Sequence, residues 1–386
     1  MKKLIGFVLF ALILSPLFAD THTAASCSLA DVTTAITAAS SGDTVSVPAG
    51  SATWTTQLSI TKGIYLIGAG AGSTVITSGY ANASDFLIIY TPSDFAANNP
   101  FRISGFTIDL NDSSQGIFLN HYQSSSLVIQ TKIRIDHNTF TGAATTYKRA
   151  IQNAGMRGVI DNNTFTNMCY PIRNVSCYRY GQEWWDNWEG MVFGKADNCM
   201  YFEDNTFTGV EIISDGQDAN RYVFRYNTVT TYMDSWPLWD MHGNDGVAYS
   251  SFGAEVYGNL INSNYAMTLF DERGGKAVIF MNNKVGTGGC GIVVRNEVPD
   301  SSNPTTNPQP QYPSDSYYWL NRSNSTGVLA TATAGTTQTE GALTLVPTED
   351  REFFQDQAGF DGTSGMGYGP PASRPATCTT GVGYWA

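Results

Sequence analysis

One phrase returns six times between Ile133 and Val285: an apolar run, then Asn, then usually Thr, then a branched or aromatic residue. The copies are IRIDHNTF (Asn138), GVIDNNTF (Asn163), YFEDNTF (Asn205), VFRYNTV (Asn227), EVYGNLI (Asn259) and IFMNNKV (Asn283). Successive Asn residues lie 25, 42, 22, 32 and 24 positions apart, so a turn of 22 to 25 residues carries two insertions. A repeat of that length with apolar and polar residues alternating inside each copy has the two-residue period of a strand. Helical-pair repeats need a longer period and runs of helix formers, and neither is present. Strands that return once per turn pair in parallel if the chain closes a coil, with neighbours about 4.8 Å apart along its axis. The expected fold is therefore all-β: a single-stranded right-handed parallel β-helix. The repeated Asn has a structural task in it, because amides one rung apart can hydrogen-bond into a ladder.

Composition agrees with a solenoid: 386 residues, 42% apolar, 14% charged and 38 Gly. Residues 1–19, with Lys2, Lys3 and an apolar run from Leu4 to Leu14, read as a secretory signal peptide and not as a membrane span. The expected protein is secreted, extracellular or periplasmic, and monomeric. A formal charge of −12 argues against nucleic acid and anionic membranes as partners. An acidic polysaccharide requires a bound cation or a local Arg cluster to reverse that field. Six cysteines in an exported chain allow disulfides, Cys169 with Cys177 or Cys199 being the most local.

The sequence divides into the signal at 1–19, a β-helix with its N-terminal cap at 20–298, and an irregular Pro, Gly, Ser and Thr-rich tail at 299–386 that packs on the solenoid. Ser28 to Ala39 reads as the capping helix, with Leu29, Val32 and Ile36 on one face and Ser28 at its start. The run GDTVSVPAG followed by ITKGIYLIGAGAGSTVI resembles the N-terminal entry of pectate-lyase-like right-handed β-helix proteins. The phrase IRIDHN resembles the Trp-Ile-Asp-His phrase of pectate lyases, but Arg134 replaces Trp and the phrase is this chain's own repeat, so Asp136 and His137 are read as structural.

A second repeat marks the face for chemistry. Leu238-Trp239-Asp240-Met241-His242-Gly243 aligns with Leu269-Phe270-Asp271-Glu272-Arg273-Gly274, which stacks Asp240 over Asp271 and His242 over Arg273. Arg295 and Glu297 extend the same two columns on the next rung, with Ser214-Asp215 and Arg173 as looser members upstream. An insertion carrying Trp184, Trp185 and Trp188 is expected to wall the groove, its rings stacking on sugars or packing on the solenoid itself.

The arrangement resembles the secreted polysaccharide-active enzymes of the pectin-lyase-like superfamily, whose groove runs along the outside of a β-helix. That resemblance implies β-elimination on a uronic-acid polymer. In this reading Asp240 and Asp271 hold Ca²⁺, Arg273 or His242 takes the proton alpha to the carboxylate, and Arg295, Arg173, Glu297 and the three Trp bind polysaccharide. Two alternatives stay open: a non-catalytic glycan-binding surface protein, and a hydrolase using Asp240 and Asp271 as its carboxylate pair.

Overall fold

A computed structural model describes residues 19–121, 128–143, 147–175, 199–217, 220–231, 236–243, 250–297, 312–323, 331–334 and 346–386. Residues 1–18, most of the segment read as a signal peptide, and the Trp184, Trp185 and Trp188 insertion lie outside the described residues. The chain forms a right-handed parallel β-helix whose turns feed three long parallel sheets of 12, 10 and 10 strands. No described helix is long and apolar enough to cross a membrane.

The open N-terminal end is covered as its sequence suggests. Leu29–Ala38 is helical, the Ser28 side chain accepts the Asp31 backbone N–H, and Val32, Ala35 and Ile36 are buried. Trp54, buried in the first turns, donates its ring N–H to the Cys27 carbonyl. This plug shields the first rung from edge pairing.

Each repeat enters the first sheet, turns sharply and enters the second. At that corner the residue before the ladder Asn adopts left-handed backbone: His137 (φ 55°), Asn162 (54°), Asp204 (55°), Tyr226 (59°), Met281 (55°) and Leu320 (56°), with Gly258 (66°) the glycine among them. Left-handed backbone is costly for Tyr, Met or Leu. The compensation comes from the ladder, in which every Asn makes several buried bonds. Asn205 shows the pattern: its Oδ1 accepts the Asn163 backbone N–H at 2.9 Å and the Asn163 amide at 3.1 Å. Its Nδ2 donates to the Ile160 carbonyl at 2.8 Å and to Asn227 Oδ1 at 3.1 Å.

The ladder corrects the sequence reading at one rung. It runs Asn138, Asn163, Asn205, Asn227, Asn259, then Asn282 and not Asn283, and it gains Asn321. Two adjacent Asn residues make IFMNNKV ambiguous, and the left-handed turn at Met281 selects the first. Upstream, Phe106 holds the position in a rung without Asn, its backbone N–H bonding Asn138 Oδ1.

Inside the coil, like stacks on like: Phe140, Phe165 and Phe207 lie at centroid distances of 5.1 and 4.7 Å, and Phe202 and Phe224 at 4.3 Å. Outside the first sheet, Asp136 is fully buried beneath Arg102 and His137, and Arg134 donates to Asp161. These are ion pairs between neighbouring rungs that brace the coil.

The coil does not stop at residue 298. Ser316–Trp319 pairs with Lys276–Phe280, Arg322–Ser323 and Ala332–Ala334 continue the other two sheets, and Phe353–Gln355 adds a further strand. The prolines from 299 to 313 suggested an earlier end, but strands of all three sheets resume from Ser316. The last segment then packs on the outer face of the first sheet, where Trp385 meets Phe280 and Trp319 at 5.1 and 5.4 Å. Cys177, one of the two expected local partners of Cys169, lies outside the described residues; among the described residues Cys169 is a free thiol that donates to Glu211 Oε2.

Candidate active site

The third sheet carries the site, because its strands repeat an outward-facing position rung after rung. Register pairs Gln152 with Arg173, Arg173 with Asp215, Asp215 with Asp240 and Asp240 with Asp271. Asp215 and Arg173 are thus full members of the column. Two residues along each strand lies the neighbouring column. The His242 N–H bonds the Gly216 carbonyl, the Arg273 N–H that of Met241, and the Arg295 N–H that of Glu272.

This second column departs from the expected register. The pairing of Met267–Glu272 with Cys290–Val294 shifts between Thr268 and Phe270, so Val293 stands beside Asp271 and Arg295 follows Arg273. Length restores the contact: the Arg295 guanidinium reaches diagonally back to both oxygens of Asp271, with Nε at 3.0 Å from Oδ1.

Arg273 is the centre of the cluster. Its Nε and Nη2 donate to Asp240 at 3.0 and 2.6 Å, its Nη1 donates to Glu297, and Nη2 abuts His242 Nε2. Gly243 allows this close packing, since a side chain there would meet the Arg273 carbonyl at 2.6 Å and Glu297 Cβ at 2.8 Å. Its N–H donates to Glu297 Oε2 at 2.7 Å. His242 Nε2 lies 3.1 Å from Asp215 Oδ1 and 3.3 Å from Asp240 Oδ2, and Tyr170 Oη donates to Asp215 Oδ2 at 2.6 Å.

These surroundings set the protonation states. Burial alone lowers the His242 pKa, but the Asp215 and Asp240 carboxylates outweigh it and raise the imidazole to about 10. Burial raises Asp215, yet His242 and Tyr170 hold it below the usual carboxylate range. Asp271 moves the other way: burial and Asp240 push it up against the opposition of Arg295. For Arg273, burial opposes the charge, and Asp240 and Glu297 raise its proton affinity further. The Tyr170 phenol is pushed well above 10, by burial first and Asp215 second.

Several expectations change as a result. The carboxylate partners of Arg273 raise its proton affinity, which counts against the role of base, since a base needs that affinity lowered. The raised pKa of His242 favours the protonated imidazole at neutral pH, which suits a donor better than an acceptor. Glu297 is buried and committed to Arg273 and Gly243, so it braces the site instead of meeting a sugar. Asp240 and Asp271 do not fit a calcium pair: each carboxylate is gripped on both oxygens by an Arg fork, whereas Ca²⁺ requires six to eight oxygen ligands. Asp215, Asp240 and His242 bring one ligand atom each within 4.8 Å of one another, but one of the three is an imidazole nitrogen, whereas Ca²⁺ takes oxygen ligands.

A cleft of about 220 Å³ opens over the cluster. Its floor includes Asp215, Asp240, His242, Asp271 and Arg295, and its walls are Tyr147, Tyr170 and Trp236. Trp236 and Tyr147 are 48% and 55% exposed, so they offer aromatic faces that the sequence reading had placed on Trp184, Trp185 and Trp188. Tyr147, Tyr170 and Trp236 sit in the turns that lead into the third sheet. No repeat signals them, and Pro171 and Pro237, directly after Tyr170 and Trp236, are the one local mark of those turns.

No protein-family model matches the chain, and no curated protein matches it. Among solved structures it is similar to an alginate lyase from Paenibacillus sp. str. FPU-7, at 14% identity and a TM-score of 0.43, covering 70% of this chain and 97% of that one. It is also similar to a PL6 family polysaccharide lyase from Pseudopedobacter saltans, at 10% identity and a TM-score of 0.48, covering 93% of this chain and 87% of that one.

Proposed function

We propose that the chain is a secreted lyase that cleaves a uronic-acid polysaccharide by β-elimination. The supporting observation is a line of groups that can exchange protons: Tyr170 Oη donates to Asp215 Oδ2 at 2.6 Å, and His242 Nε2 stands at ion-pair distance, 3.1 Å, from Asp215 Oδ1. Elimination moves one proton from the carbon alpha to the carboxylate onto the departing glycosidic oxygen, and it consumes no water. Such a line of groups suits it.

In the proposed cycle Tyr170 Oη accepts the carbon-bound proton as its own proton passes to Asp215. The electron pair left on carbon forms the double bond, the carbon–oxygen bond to the leaving sugar breaks, and that oxygen takes the proton of His242. Asp215 then returns its proton to His242, and the site is reset. The high phenol pKa keeps Tyr170 protonated until the transfer is concerted. Arg295 and Arg273 supply positive charge where the uronate carboxylate becomes more electron-rich. They do so in a protein of net charge −12, where a neutral groove would repel a polyanion.

A second reading draws on Asp271, raised in pKa, and Asp215, lowered. They stand two rungs apart, about 9.6 Å by strand spacing, at the upper limit of an inverting acid and base pair. One assay separates the two: incubation with a panel of uronic-acid polymers, followed by ultraviolet absorbance and reducing-end titration. Unsaturated, absorbing product supports elimination. Reducing ends without absorbance support hydrolysis, and neither product with retained polymer binding makes the chain a glycan-binding protein.

A further inference from the structure

Six described arginines each face a carboxylate: Arg102, Arg134, Arg225, Arg273, Arg295 and Arg351. Arg149 and Arg173 do not. Among the described residues neither has a carboxylate within ion-pair distance, and the Nε–H of each is buried without an acceptor. Their contacts are neutral: Arg149 Nη1 donates to Gln152 Oε1 at 3.2 Å, and Arg173 Nη2 donates to Gln217 Oε1. Arg149 also lies 5.4 Å from the centroid of the Tyr170 ring, the wall of the cleft. Arg173 pairs in register with Asp215 and so stands one rung N-terminal to it in the reactive column.

Two guanidiniums brought together, partly buried and with the nearby Asp215 carboxylate engaged by Tyr170 and His242, gain from an anion that completes them. Burial, and then the neighbouring Arg173, lower the proton affinity of Arg149 in the empty groove. A planar fork donating in parallel suits carboxylate or sulfate oxygens.

We propose that Arg149 and Arg173 form a second anion subsite, which takes the charged group of the sugar next to the one that reacts at His242. This rests on the reading of the groove as a site for acidic polysaccharide. It deepens that reading: the preferred substrate carries negative charge on consecutive sugars, and polymers in which acidic and neutral sugars alternate bind poorly.

The test is affinity electrophoresis through gels containing a polyuronate, the same polymer with its carboxyl groups reduced to alcohols, or a sulfated neutral glucan. His242→Ala is run beside wild type so that binding is read without turnover. Wild type and His242→Ala are expected to be retarded by the polyuronate and not by the reduced polymer. Arg149→Gln with Arg173→Gln is expected to bind at least about tenfold more weakly, as for loss of charge-assisted hydrogen bonds. Arg149→Lys with Arg173→Lys, which keeps the charge and guards against misfolding of the Gln pair, is expected to retain part of the retardation. Retardation by the sulfated glucan, lost in the Gln pair, extends the ligand to sulfate esters.

Equal retardation by the reduced polymer, or a Gln pair that binds as wild type does, overturns the subsite. Turnover by wild type with unchanged binding in the Gln pair removes the subsite and leaves the elimination reading standing. Retardation without turnover does the reverse.

Discussion

Arg273→Met tests the electrostatic core of the site. The Arg273 side chain is 7% exposed, and its partners Asp240 and Glu297 are 10% and 3% exposed. Met fills most of the space but takes the guanidinium from two carboxylates, leaving Asp240 with His242 and Glu297 with His242 and the Gly243 N–H. Removing one member of a buried ion network costs about 3–5 kcal/mol, and the partners that remain place this variant near 3. Arg295→Met is the comparison: Arg295 is 23% exposed and holds one carboxylate, so its loss costs about 1–3 kcal/mol. Urea unfolding followed by tryptophan fluorescence reads both. The penalty has a required pH dependence. Stranded carboxylates have folded pKa values above their unfolded ones, so the folded variant binds more protons and loses stability as pH rises. The gap between Arg273→Met and wild type is therefore widest at neutral pH and narrows toward pH 5. A variant within about 1 kcal/mol of wild type at neutral pH, or a gap that widens in acid, would refute the reasoning.

Further predictions follow from neighbouring groups. Asn205→Ala leaves the Asn163 N–H without its acceptor and the Ile160 carbonyl without its amide donor, and should cost about 2–4 kcal/mol in the same urea assay; Asn283→Ala, off the ladder, should stay within about 0.5. His242 has a folded pKa of about 10 against an ordinary 6.5. Its stabilisation is thus complete below about pH 6.5 and is lost as pH rises through about 10, so His242→Gln should flatten the alkaline limb of a stability–pH curve. As proton donor it should also make turnover fall over that same alkaline range, and a rate that climbs through pH 10 would return it to the role of base. Cys169, pushed up to about 12 by burial and Glu211, should react with iodoacetamide only after unfolding, and added reductant should not move the thermal midpoint. Chelator should leave turnover unchanged, and a loss reversed by calcium would reinstate the Asp240 and Asp271 metal pair.

The architecture and one column of charged residues were legible before any coordinates. Period, alternation and a recurring Asn are local properties, and a coil closed once per repeat is the way to pair such strands in parallel. The stacking of Asp240 on Asp271 followed from counting alone, since both rungs carry the same phrase. Counting failed where the chain is locally irregular. The doubled Asn at 282 and 283 was resolved by a left-handed turn at Met281, and the column at Arg295 was displaced by a bulge at Thr268.

What the sequence determined by itself was the coil, its capping helix and the face on which charge accumulates, because these rest on periodicity and burial. What the tertiary structure decided was the state of each charged group. Whether a carboxylate binds a metal, gives up a proton or braces an arginine depends on side-chain reach across rungs and on loss of water. Arg295 reaching Asp271, Glu297 reaching Gly243, and Tyr170 arriving from a turn to meet Asp215 are contacts between residues whose spacing obeys no repeat. A shift in pKa arises from just such neighbours, and so the charge states on this face depend on packing.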